Sequence, residues 1–367
     1  MAPIRILVVD DSVVIRKVLC DALASDPAIE VVGTAPDGRI ALAKITQLHP
    51  DLITLDVEMP NLSGLQTIPE IRKLYPKLPI IMFSTLTERG ASTTLDALAL
   101  GASDYVTKPS NTGSVGVTME RIKQDLIPKI KALCARPRPS DRLLAAAAPV
   151  IPMKPAKLPE SSERPRVAID ILAIGTSTGG PNALAEVLPA IPADFPVPIV
   201  IVQHMPPLFT RMLAERLSKK AAIKIREGEP GARLQPGEAW IAPGDYHMTV
   251  ERHGTSVQLA MNQGPPENSC RPAVDVLFRS VAAAFGANTL AVVMTGMGSD
   301  GVLGSQVVRE RGGRVYVQDE ATSVVWGMPG QVAAAGWADK IFPLGMLAAE
   351  IDRLIRKSRH ALSPAMG

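Results

Sequence analysis

Aromatic residues are scarce in this chain, at 4% of 367 residues, and that scarcity argues against an aromatic-rich platform for nucleic acid or carbohydrate. Cys20, Cys134 and Cys270 are far apart and form no C-x-x-C pair. Neither a disulfide framework nor a thiolate zinc site is therefore expected, and a reducing cytoplasm fits. The opening MAPIRILVVDDS is broken by Arg5 and too short for a signal sequence. No stretch reaches the ~18 to 20 apolar residues of a membrane span, so a membrane-embedded protein is not expected. Charge of one sign is lacking too: 39 Lys and Arg stand against 36 Asp and Glu.

The balance is regional. Residues 1–109 hold 10 basic and 13 acidic side chains, 110–166 hold 11 and 5, and 167–367 hold 18 and 18. A DNA-binding regulator would need a basic reader with a helix-turn-helix, and the C-terminal part offers neither. An apolar content of 46% excludes a wholly disordered chain. The length implies two domains of about 100 to 200 residues each. Residues 136–166 carry seven prolines in 31 residues and no sustained amphipathic period, the mark of a tether. Such a tether spans roughly 30 Å and keeps its two ends at local concentrations approaching millimolar.

Short aliphatic runs at Ile4–Val9, Ile29–Val32, Leu52–Leu55, Ile80–Phe83 and Asp104–Val106 alternate with helical patterns such as Ser12–Ala24 and Ala91–Leu100. The rhythm predicts a doubly wound parallel sheet. It resumes after the tether, with strands at Ile169–Ile174, Ile199–Val202, Leu290–Met294 and Arg314–Gln318, and helices at Pro181–Leu188, Phe209–Leu217, Val274–Phe285 and Val302–Glu310. The fold class is α/β, two doubly wound parallel-sheet domains. Between Glu229 and Gln263, turn signals and short alternating runs predict inserted antiparallel hairpins rather than another crossover.

Ligands of such sheets gather beyond the carboxyl ends of the strands, where Asp10 and Asp11 follow the first strand and Asp56 follows the third. Three acids so close repel unless a cation sits among them, and hard oxygen ligands suit Mg²⁺. Ser84-Thr85 and Thr107-Lys108-Pro109 bring a hydroxyl and an ammonium to the same crevice, a set suited to a phosphoryl group on Asp56. Alone, Asp11 or Ser12 would be read as a helix cap and Lys108 as a surface charge. Together VVDDS, TLDVEMPNLSGL and DYVTKPS resemble the receiver domain of bacterial response regulators over about residues 4–109. The resemblance implies a flavodoxin-like fold, Asp56 as phosphoacceptor, Asp10 and Asp11 as Mg²⁺ acids, and Glu58 giving a backbone carbonyl to the metal. It implies Ser84 as the switch hydroxyl, with Thr85 the alternative, Lys108 as the phosphate partner, and Tyr105 as the mobile aromatic, with simple packing the alternative.

After the tether, Gly175-Thr176-Ser177-Thr178-Gly179 fits G-x-S-x-G between a strand and a helix, the context of an exposed nucleophilic serine. A phosphate-binding turn is the rival reading, but the turn lacks the Walker A lysine. The following N–H, that of Thr178, faces a developing oxyanion in this geometry. Serine needs a base, and of five histidines only His204 follows a predicted parallel strand. MTGMGSDG, residues 294–301, offers Asp300 as the acid that orients His204. The same loop, Gly296 to Gly301, also fits G-x-G-x-x-G with Asp319 or Glu320 about 20 residues on, so a receiver-regulated dinucleotide enzyme is the alternative. Against it, Asp300 would face the pyrophosphate and Ser177 and His204 would go unexplained.

With the receiver motifs, AIGTSTGGP, VIVQHMP, RPAVDVLF and MTGMGSDG resemble the bacterial chemotaxis response-regulator protein-glutamate methylesterases across nearly the whole chain. The resemblance implies a hydrolase that removes methyl esters from chemoreceptor glutamates and deamidates receptor glutamines through Ser177, His204 and Asp300, with Thr178 and Met297 stabilising the oxyanion. It implies a histidine kinase as phosphodonor, Mg²⁺ for the receiver, no cofactor for the ester chemistry, no nucleic acid, a cytoplasmic location and a receiver that covers the esterase cleft until phosphorylated. A monomer is expected. The expected divisions are 1–109 as receiver core, 110–135 as its terminal helix region, 136–166 as linker, 167–359 as catalytic domain with the hairpin insert, and 360–367 as tail. Cys270 has no assigned role.

Overall fold

A computed structural model of the chain describes residues 2–108, 115–135, 167–254 and 256–360. Pro109, the tether expected over 136–166 and residues 361–367 lie outside the described residues. His360, expected to open the tail, instead closes the last helix.

In the N-terminal unit, β1 (Ile4–Val9), α1 (Val13–Ala24), β2 (Ile29–Ala35), α2 (Gly38–Leu48) and β3 (Leu52–Asp56) are followed by α3 (Gly64–Leu74), β4 (Ile80–Ser84), α4 (Glu88–Ala99), β5 (Asp104–Thr107) and α5 (Val115–Leu133). The sheet runs β2-β1-β3-β4-β5, all parallel. β3 and β4 are buried at every residue, as strands with helices on both faces must be. β2 runs three residues past its expected end because Gly33, Thr34 and Ala35 pair with Leu7, Val8 and Val9, tertiary pairing overriding weak strand propensity. Helix starts are set by side-chain caps, Ser12 to the Ile15 N–H, Asp37 to that of Ile40, Thr87 to that of Gly90, and a capping box at Ser63 and Gln66. Ser12 thus caps α1, while its own N–H donates to Asp10 Oδ1 at 2.9 Å on the strand end.

The C-terminal unit comprises β6 (Ile171–Thr176), α6 (Gly180–Val187), β7 (Ile199–Gln203), α7 (Phe209–Ser218), β8 (Lys224–Glu227), β9 (Glu238–Ile241), β10 (His247–His253) and β11 (Ser256–Asn262). It continues with α8 (Val274–Phe285), β12 (Thr289–Val293), α9 (Val302–Glu310), β13 (Arg314–Gln318), α10 (Met328–Ala334), β14 (Lys340–Phe342) and α11 (Leu344–His360). The main sheet is β14-β13-β12-β6-β7-β9-β8, parallel throughout.

Residues 229–263 correct the sequence reading. Among the described residues of this stretch only β10 and β11 form an antiparallel hairpin. β9 instead lies beside β7, pairing Ala239, Trp240 and Ile241 with Ile199, Val200 and Ile201. The crossover from β8 to β9 has no helix to announce it; it is stitched onto β11 by Gly231 N–H to Leu259 O at 2.8 Å and Leu234 N–H to Val257 O at 3.0 Å.

The two units pack through α4 and β5 against α6 and α7. Arg216 bonds Asp96 at 2.6 Å, Arg211 bonds Glu88 at 2.8 Å and the Asn182 amide donates to Leu98 O at 2.9 Å. The Tyr105 and Phe209 rings stack with centroids 4.8 Å apart.

Leu172 is fully buried on β6, between β12 and β7. Leu172→Ala should destabilise the chain by about 2 to 5 kcal/mol through lost burial and a residual cavity. Urea unfolding of the C-terminal unit measures it, and a shift below about 1 kcal/mol would contradict the described packing.

Candidate functional site

Sheet register builds the first crevice. Val9 is level with Leu55 on adjacent parallel strands, so Asp10 and Asp11 emerge beside Asp56 at the reversal of strand order. The Lys108 ammonium reaches Asp56 Oδ2 at 2.8 Å and Asp10 Oδ2 at 3.0 Å. Carboxylate oxygens of Asp10, Asp11 and Asp56 lie within 4.8 Å of one another. Asp10 Oδ2 is buried and faced by the Lys108 ammonium, while Asp11 and Asp56 line the cavity beside it. This all-oxygen donor set fits Mg²⁺. Burial, together with repulsion from Asp10, pushes the Asp56 carboxyl up to about 6, although Lys108 works to lower it. Burial works to lower the Lys108 pKa, but its bond to Asp56 prevails and raises it.

The other expected groups, Glu58, Ser84 and Thr85, line one cavity of about 220 Å³ with Asp11, Asp56 and Lys108. Ser84 is buried and its hydroxyl donates to Gly90 O at 3.2 Å, at the start of α4. Thr85 Oγ1 is 3.3 Å from Thr87 Oγ1. Glu58 is exposed and pairs with Arg89 at 3.2 Å. Arg16, which the sequence reading left aside, donates to Asp10 O and Asp11 O at 2.6 and 2.9 Å and anchors the loop that carries both acids.

The second crevice is built on three neighbouring strands. Thr176 pairs with Gln203, so Ser177 and His204 are the next residues of adjacent parallel strands. Val293 of β12 pairs with Gly175, which sends the 294–301 loop over the same rim. A Cβ on Gly296 would come 2.9 Å from Ser177 Cβ, so the loop reaches the serine only because this residue is glycine. Gly179, at φ +79°, turns the chain from the serine into α6.

His204 Nε2 lies 2.8 Å from Asp300 Oδ2. Its Nδ1 lies 3.5 Å from Cys270 Sγ, and among the described residues no hydrogen bond joins the Ser177 hydroxyl to the ring. The structure therefore bonds imidazole to acid, sets the serine alongside, and turns the other ring nitrogen to a thiol for which the sequence offered no role. Burial works to lower the His204 pKa, but the Asp300 and Cys270 contacts outweigh it and push the ring up to about 10. Burial also works to raise the Asp300 pKa, and His204 outweighs it, so the acid is lowered. Among the described residues neither the Thr178 nor the Met297 backbone N–H donates a hydrogen bond.

The Gly296–Gly301 loop does leave β12 and enter α9, but the N–H groups of Gly301 and Gly304 are taken by Asp275 at 3.0 and 2.6 Å. A pyrophosphate would find them occupied. Asp319, the candidate ribose acid, accepts from Thr322 instead.

The N-terminal unit closes over this crevice. A cavity of about 470 Å³ has His204, Cys270 and Arg271 on one side and Tyr105, Asp125 and Lys129 on the other. Thr178 Oγ1 donates to Asp104 Oδ2 at 2.7 Å, a buried bond between β5 and the serine turn. Asp104 also pairs with Lys129 at 3.0 Å. Nothing local in the sequence signals these pairings. A buried Asp275 in the apolar run AVDVLF was a visible signal, an acid where the period asks for none.

Residues 172–351 match the family model described as CheB methylesterase, and residues 6–117 match the one described as response regulator receiver domain. A protein of a Nocardioides species named protein-glutamate methylesterase/protein-glutamine glutaminase is 53% identical, over 100% of this chain and 99% of its own. One of the same name from Trichodesmium erythraeum is 53% identical, over 97% of this chain and 100% of its own. The solved methylesterase catalytic domain of Thermotoga maritima CheB is 40% identical with a TM-score of 0.50, covering 51% of this chain and 100% of that one.

The raised Asp56 pKa has a stability consequence. Its protonated form stabilises the fold below about pH 4, and that contribution is lost as pH rises through about 6. Asp56→Asn should therefore raise the unfolding free energy at pH 8 by roughly 3 kcal/mol and change it little at pH 4. Denaturant titrations at the two pH values measure this, and an equal effect at both would contradict it.

Proposed function

The chain belongs to the CheB methylesterase family, with a response regulator receiver domain ahead of the catalytic half, and we propose on that footing that it hydrolyses methyl esters of chemoreceptor glutamates and deamidates receptor glutamines under phosphorylation control. The observation that carries the reading is the His204–Asp300 bond at the strand ends beside Ser177, with two unengaged N–H groups on the flanking turns.

Ser177 Oγ attacks the side-chain carbonyl carbon of the ester or amide while His204 takes its proton. The nitrogen that accepts it is Nδ1, because Nε2–H is held by Asp300, so the ring must first give up its contact with Cys270. The tetrahedral oxyanion accepts from the Thr178 and Met297 N–H groups, each worth ~3 to 4 kcal/mol in comparable sites. His204 then protonates the departing methanol or ammonia, an acyl-serine remains, and a water deprotonated by His204 releases glutamate.

Asp56 is the phosphoacceptor and a histidine kinase the donor. Asp10, Asp11, Asp56 and the Glu58 carbonyl would hold Mg²⁺, which neutralises the phosphoryl oxygens when bound. In the arrangement described, Tyr105 and Lys129 roof the cleft and Asp104 holds the serine turn, which keeps a receptor helix out. Phosphate at Asp56 draws in Lys108 and the Ser84 hydroxyl, now directed to Gly90 O, and shifts β5 and α4, the elements that hold the two units together. Residues 1–135 act as the regulatory unit, 136–166 as its tether and 167–359 as the enzyme. Among the described residues no helix is long and apolar enough to cross a membrane, and we place the protein in the cytoplasm as a monomer.

Methanol release from methylated receptor, with and without a small-molecule phosphodonor and Mg²⁺, tests the reading. Ser177→Ala should abolish release, and Asp56→Asn should keep the basal rate but ignore the phosphodonor. Full activity in Ser177→Ala would refute the acyl-serine. In the unphosphorylated chain, Arg211→Glu with Arg216→Glu sets like charges against Glu88 and Asp96. Basal release should then rise severalfold, and an unchanged rate would count against the interface as the block.

A further inference from the structure

The acid that orients His204 is itself held by an unusual arrangement. Asp300 Oδ1 accepts from Asn268 Nδ2, Asp275 N and Gly301 N at 3.0, 2.9 and 3.0 Å, and Oδ2 accepts from Val274 N at 2.6 Å besides facing His204. Val274 and Asp275 open α8, so Asp300, from the loop before α9, caps α8. Asp275 returns the favour: its Oδ1 accepts from Gly301 N and Gly304 N at the start of α9. Two buried carboxylates thus cap each other's helices, and their charges repel. Burial and the Asp300 charge together raise the Asp275 pKa, so the repulsion falls on Asp275 while Asp300 stays charged.

One side chain spans the pair. Asn268 Nδ2 lies 3.0 Å from Asp275 Oδ2 and 3.0 Å from Asp300 Oδ1, so its two amide hydrogens serve one acid each. A neutral double donor meets both carboxylates without adding a cation that would compete with His204 for Asp300. The backbone is bent to deliver it: Asn268 sits at φ +51° and Ser269 at +62°, left-handed conformations that Asn tolerates better than most residues. The turn is closed by Glu267 N–H to Cys270 O at 3.1 Å and Cys270 N–H to Glu267 O at 2.8 Å, and Glu267 is pinned by Arg279 of α8 at 2.5 Å.

We propose that Asn268 is a positioning residue of the ester-hydrolysing reaction, which keeps Asp300 aimed at His204 by clamping it to Asp275. The inference rests on the Ser177–His204–Asp300 reading above. Asn268 does not line the cavity beneath the N-terminal unit, so its loss acts on turnover and not on substrate capture.

Asn268→Gly isolates the amide, because glycine accepts the left-handed backbone and only the two donors disappear. In the full chain with phosphodonor and Mg²⁺, kcat for methanol release should fall about 10- to 100-fold, the range seen when outer-shell partners of functional ligands are removed, with KM within about twofold. The acid limb of the kcat/KM profile should move to lower pH, since a misaimed carboxylate supports the imidazolium less. Asn268→Asp keeps the shape but adds a third negative charge, and should move that limb the opposite way. Should Ser177→Ala and His204→Gln be inactive while Asn268→Gly keeps wild-type kcat and pH profile, the clamp is overturned and the triad stands. Should Ser177→Ala stay active, the reading beneath it fails instead. Parallel shifts of both Asn268 variants in the same direction would also overturn the clamp.

Discussion

The parallel pairing of β12, β6 and β7 is the constraint on which the catalytic end depends. Register alone makes Ser177 and His204 successors of the paired residues Thr176 and Gln203, and carries the Asp300 loop across from β12. Three residues separated by 27 and 96 positions in the chain come to one rim because strands about 4.8 Å apart stop at the same level. Everything polar at the rim is then a matter of which turn each strand enters. The same logic, with order β2-β1-β3-β4-β5, gathers Asp10, Asp11, Asp56 and Lys108 in the N-terminal sheet.

Electrostatics divides the two crevices. In the first, like charges are crowded and held by a single ammonium, so a carboxyl is pushed up and the site is receptive to added cationic charge. In the second, opposite charges are paired and buried, so imidazole and acid hold each other ionised. In the proposed mechanism, uncovering the cleft weakens this buried pairing and so favours the neutral ring that accepts the serine proton.

Much of this was legible in the sequence where chemistry follows from local pattern. Aliphatic runs ending in Asp10-Asp11, Asp56, Ser177 and His204 located the strand ends, and the glycine-flanked turns located the loops. The reading failed where tertiary pairing overrides local signal. β9 looked like a hairpin arm because its connection to β8 has no helical period, and only its burial beside β7 makes it a central strand. Asn268 gave no warning, since a left-handed turn stabilised by two acids from other elements leaves no spacing to count. Cys270 was unassignable for a similar reason: its neighbour His204 is brought to it only by the folded loop.

Thr178 serves two masters. In the proposed mechanism its N–H faces the developing negative charge, while its hydroxyl is tied to Asp104 in the N-terminal half. A residue with such a double allegiance couples the evolutionary fate of the halves: a replacement that loosened regulation would also disturb the reaction it governs. Enzyme and regulator are thereby obliged to change in concert, and a swap of either half between relatives would have to respect that shared residue.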